Sequence, residues 1–369
     1  MNLATIKLKK IIENINFLSK DVPLEEINIM EVCGTHTNLI AKMGIKNVLD
    51  KKINLISGPG CPVCVTDEGY IDAAIKLARE GFIIATFGDL MKVNGSETNL
   101  LAEKSKGRDI RVIYSVYDVI RMAELDKEKS FVLLAVGFET TAPLIACVAN
   151  TVLKFNIKNV LFLTSLKIMP PIIEKILNLK NRDIHGIICP GNVAVITGEK
   201  SFSFIYDKYK VPAVICGFED KDIIGGIHFL ISYINKKNNR LCQCGFQNLY
   251  KKYVRDNGNE RAKMFMEDTF TIDDGIWRGI GLIENSSFVL SEEYKELDAV
   301  KRFGLEDYFK HNKKNLCKDN LCRCSDILLG SISPNKCALF GSICTPRSPV
   351  GPCMISSEGT CAAYYKVKV

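Results

Sequence analysis

Between residues 27 and 216 the apolar residues gather in eight short runs, each followed by a polar, glycine-containing turn and then a helical stretch. The runs are INIMEV (27–32), INLISG (53–58), FIIATF (82–87), IRVIY (110–114), FVLLAV (131–136), NVLFLTS (159–165), GIICP (186–190) and AVIC (213–216). Most are continuous rather than alternating, the mark of strands buried on both faces, and intervening helices make such strands parallel. The pattern predicts an α/β fold. A polar helix, YDVIRMAELDKEKS, lies between IRVIY and FVLLAV and joins two α/β units, so boundaries are expected near residues 120 and 240. Beyond 240 the texture changes. Residues 246–312 are charged and read as mostly helical, and residues 313–369 are rich in cysteine, glycine, proline and serine.

Parallel strands aim their carboxyl ends at a common edge, and open α/β sheets bind ligands there. Five runs end in residues that bend or react: Cys33-Gly34-Thr35-His36, GPGCPVC (58–64), Phe87-Gly88-Asp89, Gly137-Phe138-Glu139-Thr140-Thr141 and Gly191-Asn192. Cys33 precedes a helix start, where the helix field is expected to lower a thiol's pKa, and His36 could add charge or a hydrogen bond. Cys61 and Cys64 form a C-x-x-C frame stiffened by proline. A redox pair, metal ligands and an inert turn are the three readings, and no second C-x-x-C stands nearby to complete a metal clip. Pro143 in a first helical turn and a threonine cap give Glu139-Thr140-Thr141 a purely structural reading as well.

Charge narrows the function classes. The net charge of +7 is spread along lysine-rich stretches, without the basic stripe and interleaved aromatics of a nucleic-acid binder. No run approaches the length needed to span a bilayer. The first residues, MNLATIKLKKIIENINF, read as an amphipathic helix rather than a secretory signal, so a cytoplasmic protein is expected. Fifteen cysteines are many for a reducing compartment and point to metal, cluster or redox chemistry, while four histidines argue against a histidine-rich zinc site.

Seven of those cysteines lie at 317, 322, 324, 337, 344, 353 and 361. Zinc ribbons carry paired C-x₂-C. This tail has Cys322-Arg323-Cys324 and then single cysteines 13, 7, 9 and 8 residues apart. Irregular single spacing suits a loop wrapped around an iron–sulfur cluster, with zinc and inert core cysteines as the alternatives. Cys147, Cys189 and Cys216 sit in apolar segments and read as core. Cys242 and Cys244 form a lone C-x-C to which the sequence gives no role.

The combination of EVCGTH (31–36), GPGCPVCVT (58–66), VGFETTAP (136–143), CPGNV–ITG (189–198) and CRC…C…LFGSICTP…GPCMISSEGTCAAYYK (322–366) resembles the HypD family of [NiFe]-hydrogenase maturation scaffolds, nearly from end to end. The resemblance implies two α/β domains with mainly parallel sheets flanking a cleft, plus a mixed helical and loop domain holding a [4Fe-4S] cluster. On that parsing the units are 1–120, 121–240 and 241–369. It implies that iron is bound with a small HypC-type partner, receives cyanide from a HypE-type donor and carbon monoxide, and is handed as Fe(CN)₂CO toward the hydrogenase large subunit. Cys33 would be the iron-binding thiolate, Cys61 and Cys64 the thiol/disulfide couple, and His36, Glu139, Thr140 and Thr141 further site residues. Glu139, when protonated, would hydrogen-bond iron-bound cyanide.

The cluster would be held by Cys324, Cys337, Cys344 and Cys361, with Cys322 and Cys353 as a disulfide beside it; either of these two as a ligand is the alternative, and Cys317 is a bystander. Where the family usually has a second histidine the chain has Asn38, and its PGHVS motif reads Pro190-Gly191-Asn192-Val193-Ala194. An amide donates and accepts hydrogen bonds but does not titrate near neutrality. A stand-alone cluster-dependent disulfide reductase that carries no iron, and a cluster-stabilised binding module, are the competing functions.

Overall fold

The computed structural model describes residues 3–180, 183–235, 244–310 and 322–368. All eight apolar runs are strands, in two separate sheets. Sheet A holds β1 (Ile27–Glu31), β2 (Ile53–Ser57), β7 (Gly186–Cys189), β8 (Ala213–Ile215) and β9 (Phe246–Asn248), in the order β2-β1-β7-β8-β9. Every neighbour in it is parallel. Sheet B holds β3 (Ile83–Thr86), β4 (Ile110–Val112), β5 (Phe131–Gly137), β6 (Val160–Lys167), β10 (Phe270–Trp277) and β11 (Gly281–Leu290), in the order β10-β11-β6-β5-β3-β4. Its first four strands are parallel, and the β10–β11 hairpin adds antiparallel to β6. The expected α/β class therefore stands, with one parallel and one mixed sheet.

The sheets do not divide at residues 120 and 240. The chain starts sheet A, leaves after β2 to lay down the first four strands of sheet B, returns for β7, β8 and β9, and crosses again for the hairpin. Each sheet is thus closed by segments far apart in sequence. The stretch 246–312, expected to be mostly helical, instead supplies β9 and the hairpin. Charged Asp273 and Asp274 interrupt its apolar pattern at a β-bulge, and only ends such as Phe270, Ile276 and Trp277 face inward or partly so, so the alternation was hard to see. The N-terminal helix Leu3–Lys20 packs on the helix Asp220–Ile234 behind sheet A. Among the described residues no helix is long and apolar enough to cross a membrane.

The last segment, residues 322–368, consists of short helices joined by loops, as the Gly/Pro/Ser composition requires. It does not form a separate core. Cys344, Cys353 and Cys361 share one apolar cluster with Cys61, Cys64 and Cys189 from the strand ends.

Candidate functional site

β1 is buried along its whole length, and Cys33 caps the helix Gly34–Lys42 two residues after its end. The GPGC loop, which follows neighbouring β2, lies flat on that cap. Gly34 N–H donates to the Gly60 carbonyl at 3.1 Å, and a Cβ on Gly60 would stand 2.5 Å from Cys33 Cα. Only glycine allows this approach of two backbones. The same cap is held from below by Glu31, whose Oε2 accepts from Cys33 N–H at 3.0 Å and whose Oε1 accepts from the Thr37 hydroxyl. Burial raises the Glu31 carboxyl to about 7, against the hydrogen bonds from Thr37 and Cys33 and the nearby Lys46 cation.

Cys33 does not have the low pKa expected of a helix start. Burial pushes its thiol up to about 12, outweighing the backbone N–H groups of His36 and Thr35 that favour the thiolate. A bare Cys33 is therefore a thiol at neutral pH, and a cation binding there must displace a proton. His36 also departs from expectation. It is buried, stacked on Phe218 with centroids 4.7 Å apart, and its Nε2 lies 3.0 Å from the Gly217 carbonyl. Burial lowers it to about 4, so it is a neutral ring that pins the Cys33 loop to the end of β8 rather than a charge beside the sulfur. Its Nδ1 is buried without a hydrogen-bond partner among the described residues.

Cys61 and Cys64 are joined by a disulfide, with Cα atoms 5.3 Å apart. Pro62 starts the short helix Pro62–Val65, and Cys64 N–H points at Cys61 Sγ, 3.2 Å away. Both cysteines are buried, so bulk thiols have poor access to the bond. The helix Pro352–Ile355, which carries Cys353, packs directly on Pro62–Val65.

At the end of β5, Glu139 is buried. Its Oε1 accepts from Met169 N–H at 2.8 Å, and its Oε2 has no hydrogen-bond partner among the described residues. Burial raises it to about 7 despite that bond. Such a carboxyl favours folding while protonated; the stability is full below the unfolded value near 4.5 and is lost as pH rises through about 7. Glu139→Gln should therefore gain up to about 3 kcal/mol relative to wild type between pH 5 and 8. Thermal melts across that window measure it, and a constant difference between the two proteins contradicts it. Thr140 is half-buried. Thr141 caps the helix Ala142–Lys154 and packs under Gly137, which is the structural role.

Residues 356–358 form a strap across both sheets. Asn38 Nδ2 donates to Ser357 O at 2.8 Å and Gly34 O at 3.1 Å, and Thr35 Oγ1 donates to Glu358 Oε1 at 3.4 Å. On the other side Asp89 Oδ2, at the end of β3, accepts from Ser356 Oγ at 2.9 Å and from Ser357 N and Oγ at 3.2 and 3.3 Å. Asn38 thus spends its amide on two carbonyls, and Asp89 is a stitch. Asn192 is exposed on the helix Gly191–Thr197.

The tail brings six cysteines together. Cys322, Cys324, Cys337, Cys344, Cys353 and Cys361 all line one cavity. Cys322 and Cys353 are both free thiols in this structure, and Cys353 shares a hydrogen bond with Cys324. A methyl on Gly351 would collide with Cys322 Sγ. Burial raises the Cys322 thiol to about 12, and the neighbouring sulfurs add to it. Among the described residues no three His, Cys, Asp or Glu side chains converge closely enough for a single ion. The sulfurs surround a space rather than a point. Cys317, Cys242 and His311 lie outside the described residues. Cys189 and Cys216 are buried core, Cys147 is half-buried and Cys244 is exposed. His185 and His228 bond to Asn28 N and Asn14 Nδ2.

Sequence reasoning passed over three charged groups. Glu31 ends an apolar strand. Lys167 ends β6, is buried, and is lowered to about 8 by that burial. Lys46 reaches the Leu55 carbonyl at 2.7 Å and the Tyr364 hydroxyl. A charge closing an otherwise apolar run was the available signal for the first two.

Fold and site together define a two-sheet α/β protein that collects sulfur from strand ends and from a cysteine-rich tail. The HypD family model, described as the hydrogenase formation hypA family, matches residues 6–368. A putative hydrogenase expression/formation protein of Methanocaldococcus jannaschii is 37% identical over 361 residues, covering 98% of this chain and 97% of the relative. The hydrogenase maturation factor HypD2 of Bradyrhizobium diazoefficiens is 37% identical over 93% of this chain and 90% of its own. The hydrogenase maturation factor HypD of Escherichia coli is 34% identical over 93% and 89%. The chain belongs to the HypD family of hydrogenase maturation factors.

Proposed function

We propose that this protein binds iron through Cys33, shared with a small HypC-type partner, and is the scaffold on which that iron becomes Fe(CN)₂CO for a [NiFe]-hydrogenase. The observation that carries the reading is the contact of the two thiol-bearing loops: the Gly60 carbonyl bonds to the residue after Cys33, and Cys61 follows Gly60 directly. A metal on Cys33 sits beside a two-electron couple.

The chemistry needs such a couple. Splitting a thiocyanate on a HypE-type donor into cyanide and a thiolate takes two electrons. Closing the Cys61–Cys64 disulfide from its dithiol releases two electrons and two protons, so the two half-reactions balance. Glu139, protonated over much of the neutral range, is a hydrogen-bond donor for a diatomic ligand's terminal atom. Soft thiolate suits iron carrying cyanide and carbon monoxide.

The six sulfurs lining the tail cavity fit an iron–sulfur cluster, because thiolates gathered around one space need a cationic core to offset their mutual repulsion. Cys324, Cys337, Cys344 and Cys361 would hold it. When bound, the cluster supplies one-electron chemistry next to the buried disulfide. The infrared spectrum of the protein isolated with its small partner tests the reading. Bands of iron-bound cyanide and carbon monoxide are expected; their absence from an intact, iron-loaded complex that still turns over disulfides favours the reductase instead.

A further inference from the structure

The β10–β11 turn carries an arginine at the junction between the disulfide and the sulfur-lined cavity. Arg278 follows the buried Trp277, and the chain turns on Gly279 and Gly281, with φ of +70° and +97°. Arg278 N–H donates to the Val65 carbonyl at 2.9 Å, at the end of the helix that holds Cys64. A Cβ on Gly279 would stand 2.7 Å from Ser325 Cβ, next to Cys324. The turn is therefore wedged between the two sulfur sites.

The guanidinium is fixed there. Its Nη2 donates to Glu68 Oε1 and to the Asn94 carbonyl, each at 2.9 Å. Its Nη1 is buried and has no hydrogen-bond partner among the described residues. Arg278 lines one cavity together with Cys322, Cys324 and Gly351. Arg323, between Cys322 and Cys324, is half-exposed and paired with Asp326.

We infer that Arg278 is a positioning residue that sets the reduction potential of the group held by the tail cysteines, by placing a fixed cation and an unspent N–H donor at their Cys324 edge. The inference rests on the cluster reading above. One-electron reduction, from an external low-potential one-electron donor, adds one negative charge to the cluster and its thiolates. A nearby buried cation favours that more negative form and raises the potential. Glu68, bonded to the guanidinium, opposes that effect with its own negative charge.

The test compares wild type, Arg278→Gln, Arg278→Lys and Glu68→Gln, each reconstituted with iron and sulfide. Midpoints are read by dithionite titration with redox mediators and by EPR of the reduced state. Arg278→Gln should lower the equilibrium constant for reduction about tenfold, which is 59 mV for a one-electron couple. Arg278→Lys should recover part of that shift, and Glu68→Gln should move the midpoint the opposite way. If Arg278→Gln does not fold, the other two variants decide. Equal midpoints in all loaded proteins overturn the role of Arg278 alone. Wild-type protein that takes up iron but no acid-labile sulfide overturns the cluster reading, and this inference with it.

Discussion

Cys33→Ala protein, purified with its small partner, is expected to lose at least about tenfold in bound iron, since loss of outer partners alone typically costs metal sites that much. Hydrogenase maturation should fall with it. The fold should survive, because a buried cysteine is replaced by a smaller apolar residue at a cost of roughly 1 kcal/mol. Iron content per chain, measured beside a thermal melt, separates the two effects. Unchanged iron in a folded variant would remove the carrier role from Cys33. The Cys61–Cys64 disulfide should form in this variant as in wild type, since its helix starts on Pro62 and does not depend on the sulfur of Cys33.

Gly60→Ala should be strongly destabilising, because the added methyl meets backbone rather than a side chain. Its Cβ would lie 2.5 Å from the Cys33 backbone nitrogen and Cα, so neither loop can relax by turning a side chain. Forcing the two backbones apart is expected to cost about 2–3 kcal/mol. It should also break the Gly34–Gly60 hydrogen bond and abolish iron retention even where the protein still folds. Denaturant melts and iron analysis check both parts. A variant with wild-type stability and iron would mean that the close approach of these loops is unimportant. The control is Gly107→Ala, where nothing lies within 4 Å of the added methyl and only the positive φ of +89° is strained.

The strands were legible because eight runs of buried, mostly branched residues have no other stable arrangement than parallel strands covered on both faces. Which strand joins which sheet was not legible. Nothing local in FIIAT or GIIC distinguishes sheet A from sheet B, and the crossings after Ser57 and Lys167 are decided by packing between distant segments. The hairpin after residue 270 escaped notice because charges occupy its outer positions and a bulge breaks its period. Within the site, the thiols announced themselves by residue type and by their places after strands. Their protonation did not. The helix start at Cys33 argued for a thiolate, yet burial among Glu31, Gly60 and the strap dominates, and burial is a property of the assembled fold. The same holds for His36, a titratable residue by type and a neutral wedge by position. Asp89 read as a candidate group and Asn38 as an imidazole lost to an amide, and both are attachment points of residues 356–358. The cavity shared by six cysteines followed from their density.

The strap has a consequence for the order of events in the cell. Glu358 follows its partner Thr35 by 323 residues. During translation both sheets have emerged before the serines that bridge them. A message cut short before Ser356 yields a chain that lacks the hydrogen bonds by which residues 356–358 bridge Asn38 and Asp89.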